Sequence, residues 1–168
     1  MSPRAAWRLE AAGFGPVYDY AAGKTDWLAH DLPFEGTARL AGRYTRRGVA
    51  TAGEQTPAAE TLRLLDAQGF GPVLVVNPAG VVMGAAYRGG LQAAPPAAAA
   101  GTVMQFAVST VRPSEDAAAL AHRMAHNELT RVVVTRPDGT LVGLFFAADI
   151  PAITSVPGSP EQSNQPQS

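Results

Sequence analysis

The sequence predicts an α+β fold in which one supersecondary unit is used twice. Three observations predict it. The segment Val49–Gly90 superimposes without a gap on Val108–Asp149 at an offset of 59 residues. The pairs Val49/Val108, Thr51/Thr110, Ala58/Ala117, Ala59/Ala118, Val73/Val132, Val75/Val134, Pro78/Pro137, Gly80/Gly139 and Gly84/Gly143 are identical. Each copy runs from an extended stretch through a helical apolar pattern into two β-runs joined by a tight turn. The chain, at 168 residues and 46% hydrophobic, can also build a real core. In a repeat of this length each copy covers the apolar face that the other cannot bury alone, so function is expected where the copies meet.

The elements follow in order. Residues 1–36 are not a third copy: Ala5–Ala12 reads as a helix stopped by Gly13, Pro16–Tyr20 as a strand, and Asp26–Ala29 as a short helix closing at Leu32-Pro33. This segment has too few apolar residues for a core of its own and is expected to lean on the repeats or on a partner. In the first copy the extended stretch Gly48–Gly53 leads to Thr56-Pro57, a side-chain cap followed by a helix-starting proline. Ala58, Leu62 and Leu65 share one helix face, and Gly69 is the stop. In the second copy Ala107–Arg112 precedes the cap Ser114-Glu115-Asp116, and Ala117, Leu120, Ala121 and Met124 form the stripe. The β-runs Pro72–Val76 and Arg131–Thr135 end in the turns Asn77-Pro78-Ala79-Gly80 and Arg136-Pro137-Asp138-Gly139, and each hairpin returns through Val81–Ala85 or Thr140–Leu144. Between the copies, the Ala-, Gly- and Pro-rich Gly89–Gly101 reads as an exposed linker, after which Thr102–Phe106 begins the second copy. The polar sequence after residue 153 has almost nothing to bury and reads as a disordered tail.

Composition narrows the function. A formal charge of -1, from 13 basic and 14 acidic residues, gives no global attraction to nucleic acid or anionic membranes. The absence of cysteine excludes disulfides, thiolate metal ligands and cysteine nucleophiles. The apolar stretches are of strand length, so no membrane span is expected, and the N-terminal sequence lacks the apolar run of a secretory signal. A cytoplasmic location is expected. His122 and His126 are four apart on one helix face, a spacing that suits a two-histidine metal site. No internal glutamate or further ligand accompanies them, and a solvated face is the expected reading, with no metal. His30, Ser109 and Ser114 show no spacing that marks a triad, and neither Gly13-Phe14-Gly15 nor Gly69-Phe70-Gly71 forms a phosphate loop. No catalytic residue is assigned and no enzyme activity is expected.

The run Thr110–Asp116, the helix, Arg131-Val132-Val133-Val134, Asp138–Gly143 and Phe146-Ala147-Ala148-Asp149 resembles a cystathionine-β-synthase-type (CBS) domain. The first copy resembles it less closely, most clearly in Asn77–Gly84. Together the copies resemble a tandem CBS pair, or Bateman module. The resemblance implies two pseudo-twofold-related motifs forming a disc-like module, with residues 37–92 as the first motif, 93–153 as the second, 1–36 as an appendage and 154–168 as a tail. The N-terminal GFGPVYDYAAGKTDWLAHDLPFEG is similar to the closing segment of rhodanese-type domains, but the sulfur-carrying cysteine of that family is missing from the chain.

The CBS resemblance implies adenine-nucleotide binding, with AMP, ADP, ATP or S-adenosylmethionine as the ligands to test. Asp149 stands where the family holds ribose hydroxyls, a task suited to a carboxylate with two acceptor oxygens; the alternative reading makes it the cap of a last short helix at 150–153. Phe146 replaces the family's Thr or Ser three residues earlier. In the first copy the equivalents are Gly90 and Tyr87, so any site is expected to be asymmetric. Tyr87 and Phe146 are expected as paired core or dimer contacts, with base stacking as the alternative. Thr110, Val132 and Arg131 are candidate nucleotide contacts, Thr51 matches Thr110, and Arg112 and Arg136 would gain weight only by clustering around Asp149. The expected function is a non-catalytic regulatory or interaction module that senses an adenine nucleotide at one asymmetric site. The alternatives are an inactive accessory of a rhodanese-type sulfur-transfer enzyme and a purely structural homodimeric scaffold. The apolar helix stripes predict a homodimer, with a protein partner as a further expectation.

Overall fold

The computed structural model describes residues 8–18, 23–30, 32–33 and 39–149. The fold is α+β, with two small sheets: one holds, in spatial order, Thr51–Gly53 (β2), Val73–Val76 (β3) and Val82–Ala86 (β4), and the other Thr45–Arg46 (β1), Leu141–Phe146 (β7), Arg131–Thr135 (β6) and Thr110–Val111 (β5). Strands β2 (Thr51–Gly53) and β3 (Val73–Val76) are parallel and flank the helix Ala58–Gln68; β4 (Val82–Ala86) returns antiparallel to β3. In the second copy β5 (Thr110–Val111), the helix Ala117–His126, β6 (Arg131–Thr135) and β7 (Leu141–Phe146) repeat the plan.

The offset of 59 survives residue by residue in the hydrogen-bonded register. Thr51 faces Leu74 as Thr110 faces Val133, and Val73 faces Ala86 as Val132 faces Phe145. Even the register shift recurs, between Val75 and Val76 and between Val134 and Thr135. The hairpin turns place Gly80 and Gly139 at φ +78° and +88°, a conformation that glycine adopts without a Cβ penalty.

The two copies exchange their leading segments. The 3-10 turn Ala41–Tyr44 and strand β1 (Thr45–Arg46) precede the first copy in sequence, yet β1 pairs antiparallel with β7 of the second. Reciprocally, the short helix Ala100–Val103 packs with the first copy, and Gln105 bridges Ala85 of β4. The matching hydrogen bonds again differ by 59: the Ala41 N–H donates to the Glu115 carbonyl and the Ala100 N–H to that of Thr56. Each long helix also receives part of its N-terminal capping from the crossing segment. The Ala58 N–H donates to the Ala98 carbonyl and the Ala117 N–H to that of Arg39, so two otherwise orphaned helix-start donors are satisfied.

Three apolar clusters result. One lies in the second copy around Phe145, Met124 and Leu120; one in the first around Val73, Val75 and Leu65. The third is the seam between the sheets, where Leu74 meets its repeat mate Val133 and Ala85 meets Leu144, with Val49 beside them. The central strands are buried on both faces, which is why they read as continuous apolar runs rather than as alternating patterns. Because Ala86 stands where the second copy has Phe145, the first core is completed from elsewhere: Leu91, only 3% exposed, joins it from the following helix.

Several sequence expectations need correction. Gly89–Gly101 is not simply an exposed linker. It holds most of the helix Arg88–Ala93 and the start of Ala100–Val103, with Leu91 and Ala100 buried, because its small residues let the crossing segment lie close to the first core. Thr56 does not cap the first long helix: Pro57 is its N-cap without a side-chain bond, and the Thr56 hydroxyl accepts from the Gly53 N–H instead. Asp116 does cap the second, accepting from the Ala119 N–H, and Gly69 ends the first at φ +72°. The helix stripes expected to drive dimerisation are used inside the chain. Ala58 and Leu65, and Ala117, Leu120 and Met124, are buried on their own cores. Residues 16–18 form no strand; the rest of that expected strand, and residues 150–168, lie outside the described residues. Of the N-terminal segment, helix Gly23–Ala29 leans on the repeats as expected: Leu28 and Ala29 are buried, and the Arg47 guanidinium donates to both their carbonyls.

Candidate functional site

The crossing of the leading segments brings Arg46, at the end of β1, beside the end of β7. There the Arg46 Nε donates to Asp149 Oδ2 at 2.5 Å and a terminal guanidinium nitrogen donates to Oδ1, a two-pronged pair. The same guanidinium lies over the Phe146 ring, 4.6 Å from its centre, and 5.3 Å from that of Phe70. Phe70 and Phe146 meet edge to face at 6.0 Å. The Arg46 hydrogen bond holds the Asp149 carboxyl below its ordinary pKa, partly opposed by desolvation, and the same bond raises that of Arg46. Asp149 closes the 3-10 turn Ala147–Asp149; the helix it was alternatively read as capping lies outside the described residues.

On the other side of the seam the same positions carry different chemistry. Repeat mates replace Arg46 by Gln105, Phe70 by Leu129, Phe146 by Tyr87 and Asp149 by Gly90. This side is an open cleft lined by Tyr87, Gln105, Phe106, Leu129, Arg131 and Val132, among others. The Arg131 guanidinium stands 5.6 Å from the Tyr87 ring centre. A carboxylate is not simply missing at Gly90: a β-carbon there would already lie 3.3 Å from Val103 Cγ1.

The sequence-predicted residues therefore divide. Asp149 and Phe146 come together. Arg131 faces Phe146 across the β6–β7 ladder and, with Val132, lines the open cleft. Thr110 is exposed and lines a different recess, with Arg123 and Asn127 against the second long helix, and Thr51 is exposed on β2. Tyr87 and Phe146 are both half-buried against the seam cluster. The other two arginines do not cluster around Asp149. Arg112 is held by the carbonyls and hydroxyl of the Thr135–Arg136 stretch, and Arg136 by Asp26, His30 and Thr140. His122 and His126 are exposed on the helix surface, and among the described residues no group of histidines and carboxylates could hold a metal ion.

Two central residues escaped the sequence reading, Arg46 and Phe70. The signal for Arg46 lies upstream of Val49. Extending the offset backwards pairs Ala41 with Ala100 and Gly42 with Gly101, both identical, and so aligns Arg46 with Gln105.

Residues 100–150 match the CBS domain family. The register identity just described gives residues 39–90 the same architecture, and solved structures carry the same paired arrangement. The chain carries a CBS-domain pair. It is similar to the cytosolic domain of the Mg2+ channel MgtE, solved in complex with ATP. That match has 25% identity and a TM-score of 0.61, and covers 67% of this chain but only 47% of the other. This chain thus spans about half the length of that structure. The CBS domains of a transcriptional regulator from Streptococcus pneumoniae match at 23% identity and TM-score 0.54, covering 67% of this chain and 90% of that one. CBSX2, solved in complex with AMP, matches at 18% identity and TM-score 0.58, over 66% and 91% of the two chains. No curated protein gives a significant match. The match of the CBS family does not reach the N-terminal segment. No helix among the described residues of the CBS pair is long and apolar enough to cross a membrane.

Proposed function

We propose that this CBS pair is a non-catalytic regulatory module that takes an adenine nucleotide at one asymmetric site, the cluster of Asp149, Phe146, Arg46 and Phe70. The observation that carries the reading is the meeting of a carboxylate, an aromatic pair and a guanidinium at the junction of the two repeats. A carboxylate accepts from a ribose diol, rings stack on a base, and a guanidinium neutralises phosphate. The mate position lacks the carboxylate because it is Gly90, which makes the site single. Complexes of related CBS structures with ATP and AMP support the same ligand class. In this reading residues 37–92 and 93–153 are the two halves, 1–36 is an appendage, and the protein works in the cytoplasm.

Calorimetry and thermal shift with AMP, ADP, ATP and S-adenosylmethionine test the proposal. A saturable signal that disappears in Asp149→Ala is expected. No heat and no shift at millimolar ligand would leave only the structural reading, a scaffold. That second reading has an observation of its own: Phe106, 69% exposed, and Met83, 37% exposed, are large apolar side chains left uncovered by the fold. They, rather than the buried helix stripes, are what support a homodimer or a protein partner. The sulfur-transfer reading has no cysteine to carry persulfide and gains no support.

A further inference from the structure

We propose that the open cleft across the seam from the Asp149 cluster is a second binding site, for a small organic carboxylate with an apolar or aromatic body. The observation that carries it is an unanswered charge. Among the described residues three arginines are half-buried, Arg112, Arg131 and Arg136. Arg112 donates to the carbonyls of Thr135 and Arg136 and to the Thr135 hydroxyl, and Arg136 is held by Asp26 and Thr140. Arg131 has neither a hydrogen-bond acceptor nor a carboxylate among the described residues; its guanidinium stands against the Tyr87 ring, 5.6 Å from the centre. A ring face attracts the charge but leaves the guanidinium N–H donors unmatched. A half-buried cation in that state favours a ligand that brings an anion.

The far side of the seam shows which anion suits such a guanidinium. There Arg46 lies over Phe146 and the Asp149 carboxylate answers its charge. In the cleft Tyr87 stands for Phe146 and Gly90 for Asp149, so the chain supplies no carboxylate. The cleft encloses about 570 Å³, its open mouth included, a size that suits a small molecule. Leu129, Val132 and Leu144 give it apolar walls, and Phe106 lines it while 69% exposed. Ala107, also in the wall, is held at φ +59°, where its repeat mate Gly48 takes +69° without a β-carbon. Among the described lining residues Arg131 alone is charged, so a ribose diol meets no carboxylate there. One guanidinium matches one negative charge, and the second charge of a phosphate would be left against apolar walls. A monocarboxylate fits both conditions: its two oxygens pair with Arg131 and its apolar body covers the wall.

The test is an amide-resolved NMR titration with phenylacetate, phenylacetamide and acetate. It uses the wild-type chain, Arg131→Gln, Arg131→Lys and Asp149→Asn, with thermal melts to establish that each variant is folded. Phenylacetate should shift the amides of Ser109, Arg131 and Val132. It should bind at least about tenfold more tightly than phenylacetamide, which lacks the charge, and than acetate, which lacks the apolar body. Arg131→Gln should bring acid and amide to within about threefold of each other, whereas Arg131→Lys should keep the acid ahead. Asp149→Asn should leave the phenylacetate affinity within about twofold of the wild type. Equal affinities for acid and amide in the wild type would overturn the proposal without recourse to any variant. A folded Arg131→Gln that keeps the preference would overturn it too, as would the absence of shifts in the cleft; neither touches the Asp149 reading. AMP that displaces phenylacetate from the wild type and from Asp149→Asn alike would make the cleft a nucleotide site and overturn both proposals. AMP that binds without displacing it would support both.

Discussion

The main-chain carbonyl of Gln105 stands 2.7 Å from where a β-carbon on Gly84 would lie. The carbonyl of Arg46 closes on Gly143 in the same way, and more tightly. These two contacts are the points at which each leading segment crosses onto the other repeat, and they give the identical pair Gly84/Gly143 a physical reason. Gly84→Ala or Gly143→Ala should therefore loosen the crossing and cost about 1–3 kcal/mol, the range of overpacking a tightly packed site. Gly89→Ala is the control: it lies in the helix Arg88–Ala93 with nothing within 4 Å of an added methyl, and should be neutral or stabilising by about 0.5–1 kcal/mol. Denaturant unfolding of the three variants checks both signs.

The two long helices start differently, and removal of a cap should show it. Asp116 caps the second helix through its side chain, whereas the first relies on Pro57 and on carbonyls of the crossing segment. Asp116→Ala should lower stability by about 1 kcal/mol in equilibrium unfolding.

The helices also stop differently. Gly69 takes the left-handed conformation after the first, and its repeat mate Glu128 takes it at φ +54° without the freedom of glycine. Glu128→Gly should raise stability, by about 0.5–1 kcal/mol, because relief of the Cβ clash outweighs the extra entropy of the unfolded chain. Thermal melts would reveal the opposite sign if the Glu128 side chain held the turn.

The Asp149–Arg46 pair predicts a pH dependence whose sign is fixed. The folded pKa of Asp149 lies below its ordinary value of 3.8, chiefly through the Arg46 hydrogen bond, so ionised Asp149 favours the folded state. That contribution is fully present above the unfolded pKa and is lost as pH falls through the lower folded value. The stability difference between the wild type and Asp149→Asn should accordingly be constant at neutral pH and shrink below about pH 4. Being surface-accessible, it should also shrink with added salt. Unfolding curves across pH 2–7 at two salt concentrations measure it.

Much of the fold was legible in the sequence because the repeat preserves what backbone geometry demands: turn glycines, helix faces and apolar strand runs. The exchange of leading segments was not legible, since Ala41-Gly42 and Ala100-Gly101 look like spacer residues until their close approach to the other copy is seen. The linker misled for the same reason, because alanines that permit close packing have the composition of a flexible connection. At the site, Asp149 and Phe146 stood out, but their partners Arg46 and Phe70 come from the other repeat. Pairing between residues 103 positions apart leaves no local pattern.

Binding of an adenine nucleotide at the Asp149–Phe146 cluster is tested most directly by a crystal structure of the chain soaked with AMP. The proposed function predicts ribose hydroxyls within hydrogen-bond distance of Asp149 and the base against Phe146. An intact Arg46–Asp149 pair, with AMP bound instead in the open cleft beside Tyr87 and Arg131, would contradict it.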